Sequence, residues 1–260
     1  MNLISICVPA SPDRLDNLYK LAVSLRDQVN PRFELIVVWD GRTPEQGEVD
    51  WSRFHGLDFS LATSPRTAGN EHLPHRNHCR NQAARIAVGN WLFFCDMDMT
   101  FDPWFVEHAV RVCDAGHLAF SPIINHIDQR GRVKTGVYGG FSELYRKSGD
   151  SVVIDPPRHV EEGMPIVDRR LFNLLGGFDE RFLGWGGNKV ELTNRLNLCP
   201  APYKLLTSAR IYHNWHKPGP RDMDLVTRNQ ELAVSIKKTL PDNPQWQDTC
   251  RKIEDLLHAS

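Results

Sequence analysis

Short runs of apolar residues recur along the first half of the chain and predict buried β-strands. Each run has strand length, and turn-forming or charged residues follow it. The runs occupy residues 4–9 (ISICVP), 33–39, 57–62 and 118–122, together with the WLFF run that starts at Trp91. Segments with helical spacing separate several of them. Strands that alternate with helices indicate an α/β fold with a mostly parallel central sheet and right-handed connections.

Apolar residues at three- and four-residue spacing predict the helices. One face of the first helix consists of Leu15, Leu18, Ala22, Leu25 and Val29. The preceding Ser-Pro-Asp sequence (11–13) supplies a helix cap and a proline at the first helical position. Further helices are predicted at 101–113, from Asp168 onward, at 188–198, and as two amphipathic C-terminal segments at 222–240 and 244–258. A glycine- and serine-rich tract at 131–163 is predicted to be partly mobile.

The composition disfavours a nucleic-acid-binding, a disulfide-bonded or a membrane-spanning protein. The 260 residues suit one α/β domain with C-terminal helices. Lys and Arg total 31 against 32 Asp and Glu, so a nucleic-acid partner is possible but disfavoured. The six cysteines are scattered and include no Cys-x-x-Cys pair, as expected for reduced core thiols. No apolar stretch approaches the roughly 18 residues that span a bilayer. We therefore expect a cytoplasmic protein without a membrane span.

Two aspartates follow the WLFF run and are the best clue to function. The sequence WLFFCDMDMTFDP places Asp96 and Asp98 one residue apart at the exit of a buried strand. On an extended chain, carboxylates at i and i+2 point the same way. Hard oxygen ligands so arranged suit a divalent cation that carries a diphosphate. The alternative interpretation is that both aspartates merely solvate the junction between strand and loop.

Five segments, in order along the chain, resemble the nucleotide-sugar glycosyltransferases of the GT-A fold. They are residues 4–9, 35–41 (LIVVWDG), 80–89 (RNQAARIAVG), 176–187 (GGFDERFLGWGG) and 212–216 (YHNWH). The fourth is similar to the acceptor-side segment shared by β-1,4-galactosyltransferases, chondroitin-type polymerases and polypeptide N-acetylgalactosaminyltransferases. The resemblance implies a GT-A domain over residues 1–221, with a nucleotide-binding half (1–122) and an acceptor-binding half (123–221). Residues 222–260 would form a helical extension.

The resemblance also implies a metal site. Asp98 would be the main ligand, Asp96 would contact the metal or the ribose, and His213 would complete the set, with His216 as the competing histidine. Oxygen and imidazole ligands beside a diphosphate suit Mn²⁺ or Mg²⁺, and imidazole favours Mn²⁺. The ion would neutralise the charge that develops on the departing diphosphate. Loops such as 131–163 commonly close over the donor sugar in this fold.

The donor would be a UDP-sugar, bound beyond the ends of the strands. The resemblance assigns its base to Pro9, Ala10, Arg14 and Asp40, whose carboxylate could accept the uracil N–H. Arg14 could equally be an exposed charge in the first helical turn. Arg80 could reach a phosphate, hold Asp96 from behind, or form a surface ion pair.

The acceptor side centres on Trp185. Together with Gly184, Gly186 and Gly187 it would offer an aromatic platform for a sugar face. The alternative is a core tryptophan beside a tight turn. A separate HLPHRNHC sequence (72–79) could suggest zinc, but it lacks a second ligand pair at finger-like spacing.

The chain departs from the family pattern at Asn188 and Lys189, where relatives have Glu-Asp or Glu-Asn and inverting members place their base. Neither side chain readily takes a proton near neutral pH. Glu191, one turn later, is the first candidate for base or acceptor ligand. A retaining mechanism, a base from residues 161–162, and lost catalysis with retained donor binding remain open.

The sequence thus predicts a metal-dependent enzyme that moves a hexose or N-acetylhexosamine from a UDP-sugar to a hydroxyl acceptor, glycan or other. Asp98, Glu191 and Trp185 are the residues expected at the reacting centre. Two alternatives stay open. One is a donor-binding pseudoenzyme that acts as an interaction module, and the other is a glycosyltransferase acting on modified DNA bases.

Overall fold

The structure is a computed structural model that describes residues 2–66, 70–135, 164–217, 219 and 221–259. In these ranges nine strands form one sheet in the order β3-β2-β1-β4-β8-β6-β9-β5, with β7 paired to β6. The strands are β1 (Ile4–Ala10), β2 (Phe33–Asp40), β3 (Phe59–Ser64), β4 (Trp91–Phe94), β5 (Met99–Phe101), β6 (Ala119–Ile127), β7 (Val133–Thr135), β8 (Ile166–Asp168) and β9 (Tyr203–His213). The helices are α1 (Leu15–Arg26), α2 (Arg76–Ile86), α3 (Phe105–Asp114), α4 (Arg169–Leu174), α5 (Asn188–Leu198), α6 (Met223–Thr239) and α7 (Pro244–His258).

The first four strands form a parallel unit. β1 pairs with β2 and β4, and β2 pairs with β3, all in parallel. The residues of β1, β2 and β4 are mostly apolar and all buried because helices cover both faces, whereas β3, at the edge of the sheet, is partly exposed. The α/β class and the parallel arrangement of this half are therefore confirmed. All four carboxyl ends lie at one edge of the sheet, where ligands bind in such folds.

The second half of the sheet is mixed. β8 lies antiparallel between β4 and β6, β9 runs parallel to β6, and β5 pairs antiparallel with β9. The sequence predicted none of the strands β5, β8 and β9. In the β5–β9 pairing, Met99 lies opposite His213. This register brings the segment after the two aspartates beside the histidine segment.

Two apolar clusters fill the two faces of the sheet. One contains residues of α1 and α3, for example Leu18, Leu25 and Phe105. The other contains residues of α2, α4, α5 and α7, including Leu192 and Trp246. The last helix, α7, therefore packs on the same core as the strands.

Several local predictions are confirmed and others differ. α5 and α7 have the predicted bounds, and Asp168 caps α4 through its side chain. Ser11 does not cap a helix, because residues 12–14 form a 3-10 turn before α1 begins at Leu15. Phe101 belongs to strand β5, and Val29 lies exposed beyond the end of α1.

Most of the tract at 131–163, including the candidate base residues 161–162, lies outside the described residues. Among the helices that are described, none combines the length and the apolar character needed to cross a bilayer.

Candidate active site

A cavity of about 1930 Å³ opens at the carboxyl ends of β1, β2 and β4. Most of the residues predicted from the sequence line it, namely Pro9, Ala10, Arg14, Asp40, Asp96, Asp98, Trp185 and His213, and so does the competing histidine, His216. Arg80 and Glu191 are buried behind this surface, at 1% and 2% exposure. The fold thus gathers residues from both ends of the chain around one space.

Asp98 lies at the centre of a cluster of possible metal ligands. Its Oδ2 atom is 3.1 Å from His216 Nε2 and 3.7 Å from His213 Nε2. One ligand atom from each of the three residues lies within 4.8 Å of the others. Arg14 Nη1 is 2.9 Å from the same carboxylate oxygen and 3.2 Å from His216 Nε2. Both candidate histidines therefore face Asp98.

Backbone pairing places this cluster. Asp98 immediately precedes β5, whose Met99 pairs with His213 of β9. The Asn214 backbone N–H and side-chain amide both donate to the Asp98 carbonyl, at 2.8 and 3.0 Å. These contacts hold the two distant segments together at the edge of the cavity.

The cluster has the donor chemistry of a divalent cation site. Asp98 Oδ1 is buried and has no hydrogen-bond partner in the described part of the chain, so one carboxylate oxygen remains to be satisfied. Burial lowers the pKa of His213, which favours the neutral imidazole that binds metals. The hydrogen bond to Asp98 raises the pKa of His216. One carboxylate and two imidazoles are ligands for a divalent transition metal, and the set is compatible with Mn²⁺.

Asp96 faces cations and is not part of this cluster. Residues 97 and 98 form a turn, so the two carboxylates do not project together as they would from an extended strand. Arg80 donates to one Asp96 oxygen at 2.9 Å, and Lys189 lies 2.8 Å from the other. Burial alone would raise the pKa of Asp96, but Lys189 and Arg80 together bring it well below its usual range. Asp96 is therefore a carboxylate with two cationic partners.

Arg80 is buried and contacts Asp96 from behind, which is the arrangement that the second of the three interpretations of Arg80 requires. Its other donor contacts Asn77 at 2.9 Å. Lys189 was not predicted as a partner of Asp96. The Asn-Lys sequence that departs from the family pattern places an ammonium group at the aspartate turn.

Asp40 lies at the end of β2, as predicted, and lines the cavity. Arg66 donates to both of its oxygens at 3.2 and 3.3 Å, and the His75 backbone N–H donates to it at 3.2 Å. The carboxylate is therefore held in a fixed orientation at the cavity wall.

The glycine loop, residues 183–187, carries Trp185 and depends on helix α6. Gly184, Gly186 and Gly187 all have positive φ angles. A Cβ atom on Gly187 would lie 2.9 Å from the Asn229 carbonyl oxygen, and one on Gly184 would lie 2.6 Å from the side chain of Leu225. The glycines are therefore required both by the backbone conformation and by the close approach of α6.

Asn229 joins α6 to this loop. Its side chain is 1% exposed and donates to the carbonyls of Leu183 and Trp185, at 2.7 and 3.0 Å. Sequence reasoning missed this residue, because an asparagine in an amphipathic helix gives no signal of a long-range contact. Helix α6, which the sequence predicted as part of a C-terminal helical extension, thus supports the loop that carries Trp185.

Trp185 is half-exposed at the cavity wall, and the guanidinium of Arg221 stacks 3.7 Å from the centre of its ring. An aromatic face that already binds a cation can also accept the C–H face of a sugar, but only after the guanidinium moves away.

Glu191 forms a buried ion pair. Both of its oxygens accept from Arg195, whose guanidinium also donates to the carbonyls of Leu175 and Gly177. The structure therefore does not bring Glu191 to the metal-ligand cluster. Through Arg195, this ion pair joins α5 to the segment that precedes the glycine loop.

Polar residues of α2 hold the same segment from the other side. Asn77 donates to the carbonyls of Asp179 and Asn188 at 2.9 and 3.2 Å. Asn81 accepts from the Phe178 N–H and donates to the Phe178 carbonyl, both at 2.9 Å. In the described ranges, the HLPHRNHC sequence forms no group of possible metal ligands.

Comparisons with known proteins agree with this architecture. No protein-family model matches the chain. Polypeptide N-acetylgalactosaminyltransferase 8 of Drosophila melanogaster is 22% identical over 259 residues, which cover 90% of this chain and 43% of that protein. The chain thus spans less than half the length of this curated relative.

Two solved structures share the fold. S. aureus TarS 1–349 in complex with UDP-GlcNAc has a TM-score of 0.70 at 15% identity, over 95% of this chain and 70% of that one. GalNAc-T7 with UDP, GalNAc and Mn²⁺ has a TM-score of 0.67 at 14% identity, over 91% and 48%. The chain therefore has the GT-A glycosyltransferase fold that the sequence resemblance implied.

Proposed function

We propose that this chain is a metal-dependent glycosyltransferase that moves a hexose or N-acetylhexosamine from a UDP-sugar to a hydroxyl acceptor. The observation that carries the proposal is the cluster of Asp98, His213 and His216 at the edge of a large cavity. Within the described ranges Asp98 keeps one buried oxygen without a hydrogen-bond partner, as a metal ligand would before the ion binds.

The charges around the aspartate turn suit a diphosphate. Among the described residues, four cationic side chains lie near three carboxylates there, namely Arg14, Arg76, Arg80 and Lys189 near Asp13, Asp96 and Asp98. One positive charge is therefore in excess, and a bound divalent cation would add two more. An anionic diphosphate group is attracted to such a surface.

Each residue then has a definite role. Asp98, His213 and His216 would hold the ion, which supplies Lewis-acid stabilisation of the departing diphosphate. Lys189 and Arg14 would pair with phosphate oxygens, and Arg80 would keep Asp96 ionised and oriented. Pro9, Ala10 and Asp40 would contact the nucleoside, and Trp185 would stack on the acceptor. The UDP-GlcNAc of TarS and the UDP, GalNAc and Mn²⁺ of GalNAc-T7 support the choice of donor and metal.

Calorimetry with UDP and Mn²⁺ tests the metal site directly. We expect Asp98→Asn and His213→Ala to weaken Mn²⁺-dependent UDP binding by at least about 100-fold, the upper end of what loss of an outer-shell metal partner costs. Asp255→Asn, an exposed carboxylate of α7, is the matched control. UDP release from a panel of UDP-sugars then measures turnover. Wild-type UDP affinity in both site variants would place the metal elsewhere.

A second function is favoured by one specific observation. Asn188 and Lys189 replace the family's acidic pair, and Glu191 is engaged by Arg195. A donor-binding pseudoenzyme would therefore have the same cavity. It would bind UDP-sugars with Mn²⁺ and release no UDP with any acceptor.

We also propose a cytoplasmic location, which the six free cysteines support because such thiols persist in reducing compartments. Fractionation that finds the protein in secretory vesicles would contradict it.

A further inference from the structure

The cavity is larger than a donor requires. Pockets of about 300–1,000 Å³ bury most of a drug-sized ligand, whereas this cavity has about 1930 Å³. Beyond Trp185 it continues between helices α5 and α6. We call this part the interhelical groove and define it by Val190, Asn194 and Asn197 of α5 and by Gln230, Ala233 and Val234 of α6.

Three side chains in this groove carry primary amides that have no structural role in the described part of the chain. The side chains of Asn194, Asn197 and Gln230 make no hydrogen bond to any other residue in the described part of the chain. Each amide offers two N–H donors and one carbonyl acceptor. Such groups match neighbouring hydroxyls, which also donate and accept.

The remaining walls are apolar and carry little charge. Val190 faces the groove from α5, and Ala233 and Val234 face it from α6. Val234 is 66% exposed, so the groove is open to solvent. Among the described residues, Lys237 at the far end is the one charged group on this stretch of the lining. A polyanion would find too few cationic side chains in this groove. A neutral sugar chain matches it better, because its hydroxyls can bond to the amides and its C–H surfaces can pack on the valines.

The groove is continuous with the part of the cavity at Trp185 and extends from there along helix α6. α6 packs on the glycine loop at Val226 and Asn229, and its cavity-lining residues continue to Lys237. From Val226 to Lys237 the helix rises about 16 Å. That length exceeds a single sugar ring, so the groove can hold units beyond the one at Trp185.

We propose that the interhelical groove is an acceptor subsite for an uncharged, hydroxyl-rich oligosaccharide whose terminal unit lies at Trp185. This inference rests on the proposed function and narrows its acceptor from any hydroxyl compound to an oligosaccharide. Asn194 and Asn197 bind the chain from α5, and Gln230 binds it from α6.

The test is the length dependence of acceptor binding. The full chain is saturated with UDP and Mn²⁺, and calorimetry then measures the affinities of three neutral series, from one to six units of β-linked N-acetylglucosamine, β-linked glucose and α-linked glucose. We expect affinity in at least one series to rise about tenfold or more from the monosaccharide to the longer members, the gain that two hydrogen bonds supply. The double variant Asn194→Ala, Gln230→Ala should lose this gain.

Gln245→Ala, which removes an exposed amide of α7 outside the groove, is the matched control and should keep the gain. Thermal unfolding and UDP binding are recorded for every variant, so a folding defect is distinguished from loss of the subsite. Failure to bind UDP with Mn²⁺ would refute the proposed function itself. Normal UDP binding with equal affinities along all three series, or a gain that survives in the double variant, would overturn the groove assignment. So would a peptide that displaces the bound oligosaccharide and loses affinity in the double variant.

Discussion

The half of the site that we propose binds the donor and the half that we propose binds the acceptor are built differently; we call them the donor half and the acceptor half. In the donor half, Pro9, Asp40 and Asp96 stand at or just beyond the ends of parallel strands, so the sheet itself fixes their positions. In the acceptor half, Asn229 holds the irregular backbone of the glycine loop, and Asn77 holds the residues on either side of it, Asp179 and Asn188. One half follows from topology, whereas the other depends on individual polar contacts. The acceptor half should therefore be the more sensitive to single substitutions.

Glu191→Gln tests this contrast with the largest expected effect. The substitution leaves the Arg195 guanidinium buried without a carboxylate, and breaking a buried ion pair costs about 3–5 kcal/mol. We expect the free energy of unfolding, measured in urea, to fall by about 3 kcal/mol, the lower end of that range. Glu254→Gln, on the exposed face of α7, should change it little.

The same variant separates two roles of Glu191. If Glu191 serves mainly to hold Arg195, transfer and stability decline together. If it is the base, one of the two roles for which the sequence made it the first candidate, Glu191→Gln abolishes transfer while stability and donor affinity stay near those of the wild type. That outcome would require Glu191 to leave Arg195 during the reaction.

The difference between the halves also explains what the sequence could predict. The parallel strands, the carboxyl-end cavity and the segment containing His213 and His216 follow from apolar runs and from the family resemblance. The partners of Asp96 and Glu191 do not, because an ion pair such as Lys189–Asp96 depends on how α5 packs beside the aspartate turn. The role of Asn229 is equally difficult to predict from the sequence, since an asparagine suits an exposed helix position as well as a buried one.

Asn229→Asp sharpens the comparison at the glycine loop. A carboxylate cannot donate to the Leu183 and Trp185 carbonyls, so two part-buried acceptors then lose the buried Asn229 amide as their partner. Leaving such groups unsatisfied costs about 1–3 kcal/mol, so we expect the free energy of unfolding to fall by about 2 kcal/mol. UDP binding with Mn²⁺ should persist in the folded fraction, because the strand ends of the donor half do not depend on this contact.

The control for this variant is Asn243→Asp, which keeps a good N-cap residue at the start of α7 and should leave stability within about 0.5 kcal/mol. Equal losses in both variants would show that any carboxylate in the C-terminal helices is harmful. A loss of UDP affinity as large in Asn229→Asp as in Asp98→Asn would show that the two halves are not separable.

Lys189 is the residue at which the two halves meet, and Lys189→Met has the smallest expected effect. Its ammonium group is on helix α5 but lies 2.8 Å from Asp96 at the end of the parallel unit. Asp96 keeps Arg80 as a partner, so loss of Lys189 removes a cation from the cavity surface without leaving the carboxylate unpaired. We expect UDP affinity to fall about tenfold, equivalent to about 1.4 kcal/mol, while uridine affinity is unchanged because uridine carries no phosphate.

Lys189→Arg should retain most of the affinity, and Lys238→Met, on the exposed surface of α6, should retain all of it. If UDP instead binds Lys189→Met more tightly, Lys189 serves only to neutralise Asp96, and the cation at position 189 is a structural element of the donor half rather than a phosphate ligand.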